Sequence, residues 1–270
     1  MSAAVHSPEL VRLAELVSGS RSVVALTGAG ISVPSGIPDF RSPGTGLWEN
    51  VDPMEVAHID AFVRDPAAFW GFYGQRFATL EGKRPNGAHR ALVRMEQAGL
   101  LRAVITQNVD MLHRKAGTGD LIEVHGSIAT CSCSACSHPA PLEVARERLL
   151  EAGDGVPRCE RCGSPMRPDV VLFGEMLPRA ALERAHDLCQ EADLLLCIGS
   201  SLEVHPVASL PVVTLRAGGA VAIVTQGLTP LDDIATVRLD GDLEVVLPAL
   251  ADELGLAPLS ADPAFDADRA

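Results

Sequence analysis

Four cysteines in two pairs, Cys133 with Cys136 in "CSAC" and Cys159 with Cys162 in "CERC", carry the sharpest chemical signal in the chain. Separated by 22 residues, the pairs supply four thiolates, the donor set of a closed, structural zinc site with no open position for catalysis. Cys131 lies only two positions before Cys133 and lacks the paired spacing, so it stays outside that set. Cys189 and Cys197 fall in apolar patterns and read as core. An odd total of seven cysteines suits a reducing cytosol better than a disulfide scaffold.

A second signal is "TGAGIS", Thr27 to Ser32, directly after the apolar run "SVVAL". Gly28 and Gly30 let the backbone approach a pyrophosphate, whose charge amides and a helix N-terminus stabilise; a mere tight turn is the competing reading. The three-glycine fingerprint of a dehydrogenase is incomplete, and neither "GAGISV" nor "WENVDP" supplies the acidic ribose ligand about 20 positions on. Other apolar runs end in small or polar residues. "CIGSSLEVHP" offers Gly199, Ser200 and Ser201, "IVTQGLTP" offers Thr225 and Gly227, and "TQNVD" offers Gln107, Asn108 and Asp110. Asn and Asp are also ordinary turn formers. His125 in "EVHGS" could be a general base with a pKa near neutrality, or a structural histidine.

The elements that must hold these residues follow from periodicity. Apolar runs recur in "SVVALTG", "LRAVITQN", "LIEVHG", "DVVLFGE", "DLLLCIGSS", "AVAIVTQG" and "ATVRLDG", with helical patterns between several of them. That alternation predicts an α/β fold, a Rossmann-like parallel sheet covered on both faces by helices. Two stretches break it. Residues 45–84 hold most of the aromatics at helical spacing, and residues 126–168 hold five of the seven cysteines. They read as a small lobe, helical and zinc-binding, set on a large lobe of about 8–44, 85–125 and 169–256, with an acidic tail at 257–270.

Composition narrows the function. A net charge of −13 argues against a protein built to grip nucleic acid, which needs clustered cations. No apolar run reaches the ~20 residues that cross a bilayer, and "MSAAVHSPELVRLAELV", without a basic start, an apolar h-region or a cleavage site, argues against secretion. With only Lys83 and Lys115 among 22 basic residues, the bias toward Arg suggests a high-GC bacterial genome and a bacterial cytosol. Nothing in the sequence sets an oligomeric state.

Taken in order, "GAGIS", "GIPDFRS", "TQNVD", "HGS", the two cysteine pairs, "VLFGE" and "GSSLEVHP" resemble the sirtuins, the NAD-dependent protein-lysine deacylases, over residues 8–255. The resemblance implies that Gly28, Ala29 and Gly30 cradle the NAD pyrophosphate, and that Ile37, Pro38, Asp39, Phe40 and Arg41 form a cofactor loop. It implies that Asn108 and Asp110, with Ile37, hold the nicotinamide carboxamide. Gln107 would face the nicotinamide ribose, and Gly199, Ser200 and Ser201 the phosphates and adenosine ribose. Thr225, beside Gly227, stands where many relatives carry Asn.

In that family the acyl oxygen attacks the ribose as nicotinamide leaves, and a histidine, here His125, takes a proton from a ribose hydroxyl. The products are O-acyl-ADP-ribose, nicotinamide and a free amine. Val171 to Glu175, including Phe173 and Gly174, would pair with the acyl-lysine peptide as an added strand.

Ala57, Tyr73 and Arg76 resemble the pocket of sirtuins that prefer succinyl and malonyl groups, where Arg grips a carboxylate. Asp39 departs from several members of that subclass. The competing readings are a dehydrogenase, a zinc and peptide-binding module, and an ADP-ribosyl transferase on the same fold.

Overall fold

The computed structural model describes residues 7–39 and 51–259. Its path begins with α1 (Pro8–Gly19), β1 (Val23–Thr27) and a 3-10 helix (Ala29–Ser35), then α2 (Pro53–Val56), α3 (Ile59–Arg64), α4 (Pro66–Glu81) and α5 (Gly87–Gln97). Next come β2 (Ala103–Thr106), α6 (Leu112–Ala116), β3 (Leu121–Glu123), β4 (Gly126–Cys133), β5 (Pro139–Pro141), α7 (Leu142–Glu151) and β6 (Met166–Val170). The chain closes with α8 (Arg179–Glu191), β7 (Leu194–Ile198), α9 (Leu210–Arg216), β8 (Ala220–Val224), β9 (Val237–Leu239) and α10 (Leu243–Glu253).

Six strands form a parallel sheet in the order β3-β2-β1-β7-β8-β9. Every residue of β1, β2 and β7 is buried, which is why their sequences are continuously apolar rather than alternating. The two-residue period still sorts them. Val23, Ala25, Leu194 and Leu196 face a core with Leu10, Leu13 and Val17 of α1, Leu92 and Met95 of α5, and Val246 and Leu250 of α10. Val24, Leu26, Leu195 and Cys197 face the opposite core, with Leu188 and Cys189 of α8 and Leu210 of α9.

Chain order reverses between β1 and β7. After β1 the path builds outward through β2 and β3, and it returns to β7 on the other side. Such a switch point leaves a crevice beyond the carboxyl ends of the strands, the general ligand position of open α/β sheets.

A three-stranded antiparallel sheet, β5-β4-β6, makes the small module. Phe62 of α3 and Phe69, Trp70 and Phe77 of α4 share one core with Ile128, Cys131, Ala145 and Met166, so the helical and cysteine-rich insertions pack as a unit. Trp70 Nε1 donates to the Met166 carbonyl at 2.8 Å, giving that buried indole N–H a partner. Among the described residues, no helix is long and apolar enough to cross a membrane.

Two local expectations are corrected. The run "DVVLFGE" does not join the parallel sheet: its first two residues end β6, which pairs antiparallel with β4, and Val171–Glu175 is irregular. Gly174 turns there at φ +85°, and the Glu175 carboxylate binds the Leu172 N–H at 3.0 Å and Arg167 at 2.7 and 2.8 Å. The glycine turn leads into a seven-residue 3-10 helix containing Pro34, not an α-helix, and Gly36 ends it at φ +75°. A segment that short supplies little macrodipole.

Candidate active site

The residues singled out in the sequence gather along the carboxyl edge of the parallel sheet. Gly28 follows β1, Gln107 follows β2, Gly199 follows β7, Thr225 follows β8, and His125 lies two positions beyond β3. At the switch point the two glycine turns touch. The Gly28 amide donates to the Ile198 carbonyl at 3.0 Å and the Gly30 amide to the Gly199 carbonyl at 2.8 Å. A Cβ on Gly28 would meet the Gly199 oxygen at 2.8 Å, and one on Gly30 would meet Gly199 Cα at 2.8 Å. Both amides are engaged within the protein, so these glycines act by close approach of the turns. Neither glycine could carry a Cβ without a shift of the facing backbone.

Beside it lies a polar triangle. Ser32 Oγ donates to Asp110 Oδ2 at 2.6 Å and accepts from Asn108 Nδ2 at 3.2 Å, while Asn108 Nδ2 also donates to the Gly28 carbonyl at 3.0 Å. The Leu112 amide donates to Asp110 Oδ1 at 2.9 Å. Asn108 and Asp110 are only 8% and 6% exposed, so the triangle is shielded from bulk water. Burial pushes the Asp110 carboxyl pKa up, against hydrogen bonds from Ser32 and Leu112 that favour its charged form.

Gln107 Nε2 donates to Ser200 Oγ at 2.8 Å, tying the β2 and β7 ends together. The Gln107 carbonyl accepts from His125 Nδ1 at 2.9 Å. A carbonyl can only accept, so Nδ1 carries the hydrogen and the neutral ring presents a bare Nε2. Burial lowers the His125 pKa, more than the Gln107 contact raises it.

Thr225 is buried and its amide donates to the Leu239 carbonyl at 3.1 Å, while Gly227 turns at φ +78°. Ser201, Ile37 and Asp39 are half-buried, and Ala29 opens the 3-10 helix. Phe40 and Arg41 lie outside the described residues.

In the Val171–Glu175 segment, the Val171 amide donates to the His125 carbonyl at 2.9 Å. The Phe173 amide donates to Ala57 and its carbonyl accepts from Ile59, both at 2.9 Å. This edge of the segment is therefore already paired within the chain. Ala57 caps α2 and is buried. Tyr73 and Arg76 sit one turn apart on α4. Burial raises the Tyr73 pKa to about 12, slightly offset by Arg76. The Arg76 guanidinium lies 3.6 Å over the Phe72 ring and donates to the Phe72 carbonyl at 2.5 Å.

The four cysteines converge, with all Sγ atoms within 4.8 Å of one another. Cys133 and Cys162 are 3.4 Å apart, and Cys136 and Cys159 are 3.7 Å apart. A tetrahedron of sulfurs around zinc has edges of about 3.8 Å, so the donor set fits. The amides of Ala135 and Cys136 point at Cys133 Sγ, each at 3.4 Å.

Ser32, Thr27, Thr106, Asn86, His89 and His113 are site-forming polar residues that the sequence reading did not single out. The available signals were a threonine closing each of two apolar strands and the helix-cap pattern "NGAH".

A switch-point sheet with facing glycine turns, and a second lobe built on four thiolates, define a two-lobed nucleotide-binding enzyme of Rossmann type. The Sir2 family profile matches residues 28–206, and the chain belongs to that family. It is 43% identical over 245 residues to the NAD-dependent protein deacylase of Pyrococcus abyssi (strain GE5 / Orsay), covering 91% of this chain and 98% of that one. It is 42% identical over 243 residues to the NAD-dependent protein deacetylase of Thermotoga maritima, covering 90% and 97%. The solved structure "Sir2-p53 peptide-NAD+" superposes with a TM-score of 0.84 at 42% identity, covering 90% and 98%. "Sir2 bound to acetylated peptide" gives 0.83 at 40% identity, covering 91% and 98%.

Proposed function

We propose that this chain is an NAD-dependent protein-lysine deacylase that removes acetyl groups and also succinyl and malonyl groups. The observation that carries the reading is the tautomer of His125. Its Nδ1–H is held by the Gln107 carbonyl at 2.9 Å, which leaves Nε2 as a proton acceptor at the strand-end crevice. Relatives named as deacylases and deacetylases support this reading over an ADP-ribosyl transferase.

NAD, when bound, supplies a glycosidic bond from which nicotinamide can leave. The chain's part is to hold, orient and dry the reacting atoms. Gly28, Ala29, Gly30, Gly199, Ser200 and Ser201 would hold the phosphates, with Thr225 and Gly227 beside the adenosine. Ile37, Asp39, Phe40, Arg41, Gln107, Asn108 and Asp110 would hold the nicotinamide side. His125 Nε2 takes up the proton. Cys133, Cys136, Cys159 and Cys162 would hold one structural zinc. An acyl-lysine peptide would lie along Val171–Glu175.

For the acyl group, Ala57 leaves room and Tyr73 keeps its proton far above neutrality, so its hydroxyl can donate to a carboxylate. Arg76 would leave the Phe72 ring and carbonyl to grip that carboxylate in a two-pronged contact. Arg76→Met tests this directly: desuccinylation should fall far more than deacetylation of the same peptide. Equal losses would remove the acidic-acyl assignment and leave the deacylase.

A further inference from the structure

Two histidines outside the chemistry sit beneath the pocket. His89 of α5 and His113 of α6 are 0% and 2% exposed, with ring centroids 4.8 Å apart at 60°. Each leads to one edge of the site. His113 Nε2 is 2.9 Å from Thr27 Oγ1, Thr27 Oγ1 donates to Thr106 Oγ1 at 2.8 Å, and Thr106 Oγ1 accepts from the Asn108 amide at 3.1 Å. His89 Nδ1 is 3.0 Å from Asn86 Oδ1, and Asn86 Nδ2 donates to the Ile31 carbonyl at 2.8 Å and Ser35 Oγ at 3.0 Å. The two routes meet again where Asn108 Nδ2 binds Ser32 Oγ at 3.2 Å. The contacts and the backbone beside Ser32 close a ring, in which the two imidazoles meet through ring packing rather than a hydrogen bond.

Proton bookkeeping makes this pair unusual. Asn86 Oδ1 also accepts the amides of Ala88 and His89 at 2.9 and 3.4 Å, which fixes the orientation of that side chain. His89 Nδ1 is therefore a donor and its Nε2 is bare. The hydroxyl hydrogen of Thr27 goes to Thr106, so His113 Nε2 donates and its Nδ1 is bare. His89 Nε2 and His113 Nδ1 are both buried with no hydrogen-bond partner among the described residues. Two apolar side chains would fill the same space with no unsatisfied lone pair. Local rules broken in this way point to function.

We propose that His89 and His113 are positioning residues for the reaction, a neutral imidazole pair that locks Asn108 and the Ile31–Ser35 turn into one rigid edge of the NAD pocket. This rests on the deacylase reading above. Neither ring needs to touch NAD: His113 acts through Thr27 and Thr106 on Asn108, and His89 acts through Asn86 on the turn beside Ser32. A shift of about 1 Å in Asn108 is enough to cost up to 100-fold in rate.

The test compares His113→Phe, His113→Gln and Thr106→Val in the zinc-loaded full chain. Nicotinamide release and deacylation are followed, with melting temperature as the folding control. His113→Phe and Thr106→Val should each lower kcat/KM for NAD by about 10- to 100-fold, leaving KM for the acyl peptide unchanged. His113→Gln, whose amide can still donate to Thr27, should stay within about threefold of the parent chain.

Parent-like kinetics in His113→Phe and Thr106→Val would overturn the proposal. So would a glutamine variant as poor as phenylalanine, or an equal loss in peptide KM. If the parent chain itself released no nicotinamide, the deacylase reading would fail. Calorimetric NAD binding would then decide the positioning role, with the phenylalanine variant binding at least 10-fold more weakly than the glutamine variant if the proposal holds and equally if it does not.

Discussion

As the proposed base, His125 is useful only while Nε2 is bare. Burial holds its pKa below the ordinary 6.5, against the Gln107 carbonyl, whose contact favours the protonated ring. The acid limb of kcat/KM should accordingly fall below pH 6.5, with activity flat from there to neutrality. A limb at or above 6.5 in a pH-rate profile would contradict this. His125→Ala should lose the limb and at least ~100-fold in deacylation, with peptide affinity unchanged by calorimetry. At this scale the sequence was most legible where a residue ended an apolar run, as with His125, Asn108 and Gly199. It was least legible for Thr27, Thr106, Asn86 and the two buried histidines. Thr27 meets Thr106 across 79 positions and His113 across 86, separations that local pattern does not reveal.

Elements place those residues, and the junction of β1 with β7 matters most. Its two turns approach so closely that Gly30→Ala would set a Cβ 2.8 Å from Gly199 Cα, against backbone that cannot rotate away. Overpacking of that kind costs about 1–3 kcal/mol, so the variant should melt lower and show a raised KM for NAD. Unchanged melting and KM would refute the contact. The parallel strands were readable because burial on both faces makes them continuously apolar. The run "DVVLFGE" looked the same and was misassigned, because pairing with β4 and the Arg167–Glu175 clamp are tertiary facts. The 3-10 helix after Gly28 was hidden for a related reason: Pro34 marks a broken helix without saying which kind.

Across the whole molecule, the shared core of α3, α4 and the cysteine module would make a zinc on the four cysteines a support for α4, which carries Tyr73 and Arg76, as well as for its own sheet. Cys159→Ser should abolish bound zinc, measured by elemental analysis, and lower the melting temperature by roughly 5–10 °C. Retained zinc with parent-like melting would show the site to be dispensable. The buried histidines set an acid sensitivity of the fold. Burial lowers the pKa of His89 well below 6.5, and that of His113 to about 4. The unfolded chain therefore takes up protons first as pH drops. The contribution of His113 is fully present above pH 6.5 and is lost as pH falls toward about 4, and that of His89 is lost in the same direction. In melts across that window, His113→Gln should lose less stability than the parent chain; a steeper loss would reverse the sign.

The most direct measurement is mass spectrometry of one peptide carrying acetyl-, succinyl- or malonyl-lysine, incubated with the zinc-loaded protein with and without NAD. The predicted result is a bare lysine together with nicotinamide and O-acyl-ADP-ribose, seen only when NAD is present. Acyl-lysine left intact with NAD unconsumed, or NAD reduced instead of cleaved, would contradict the account.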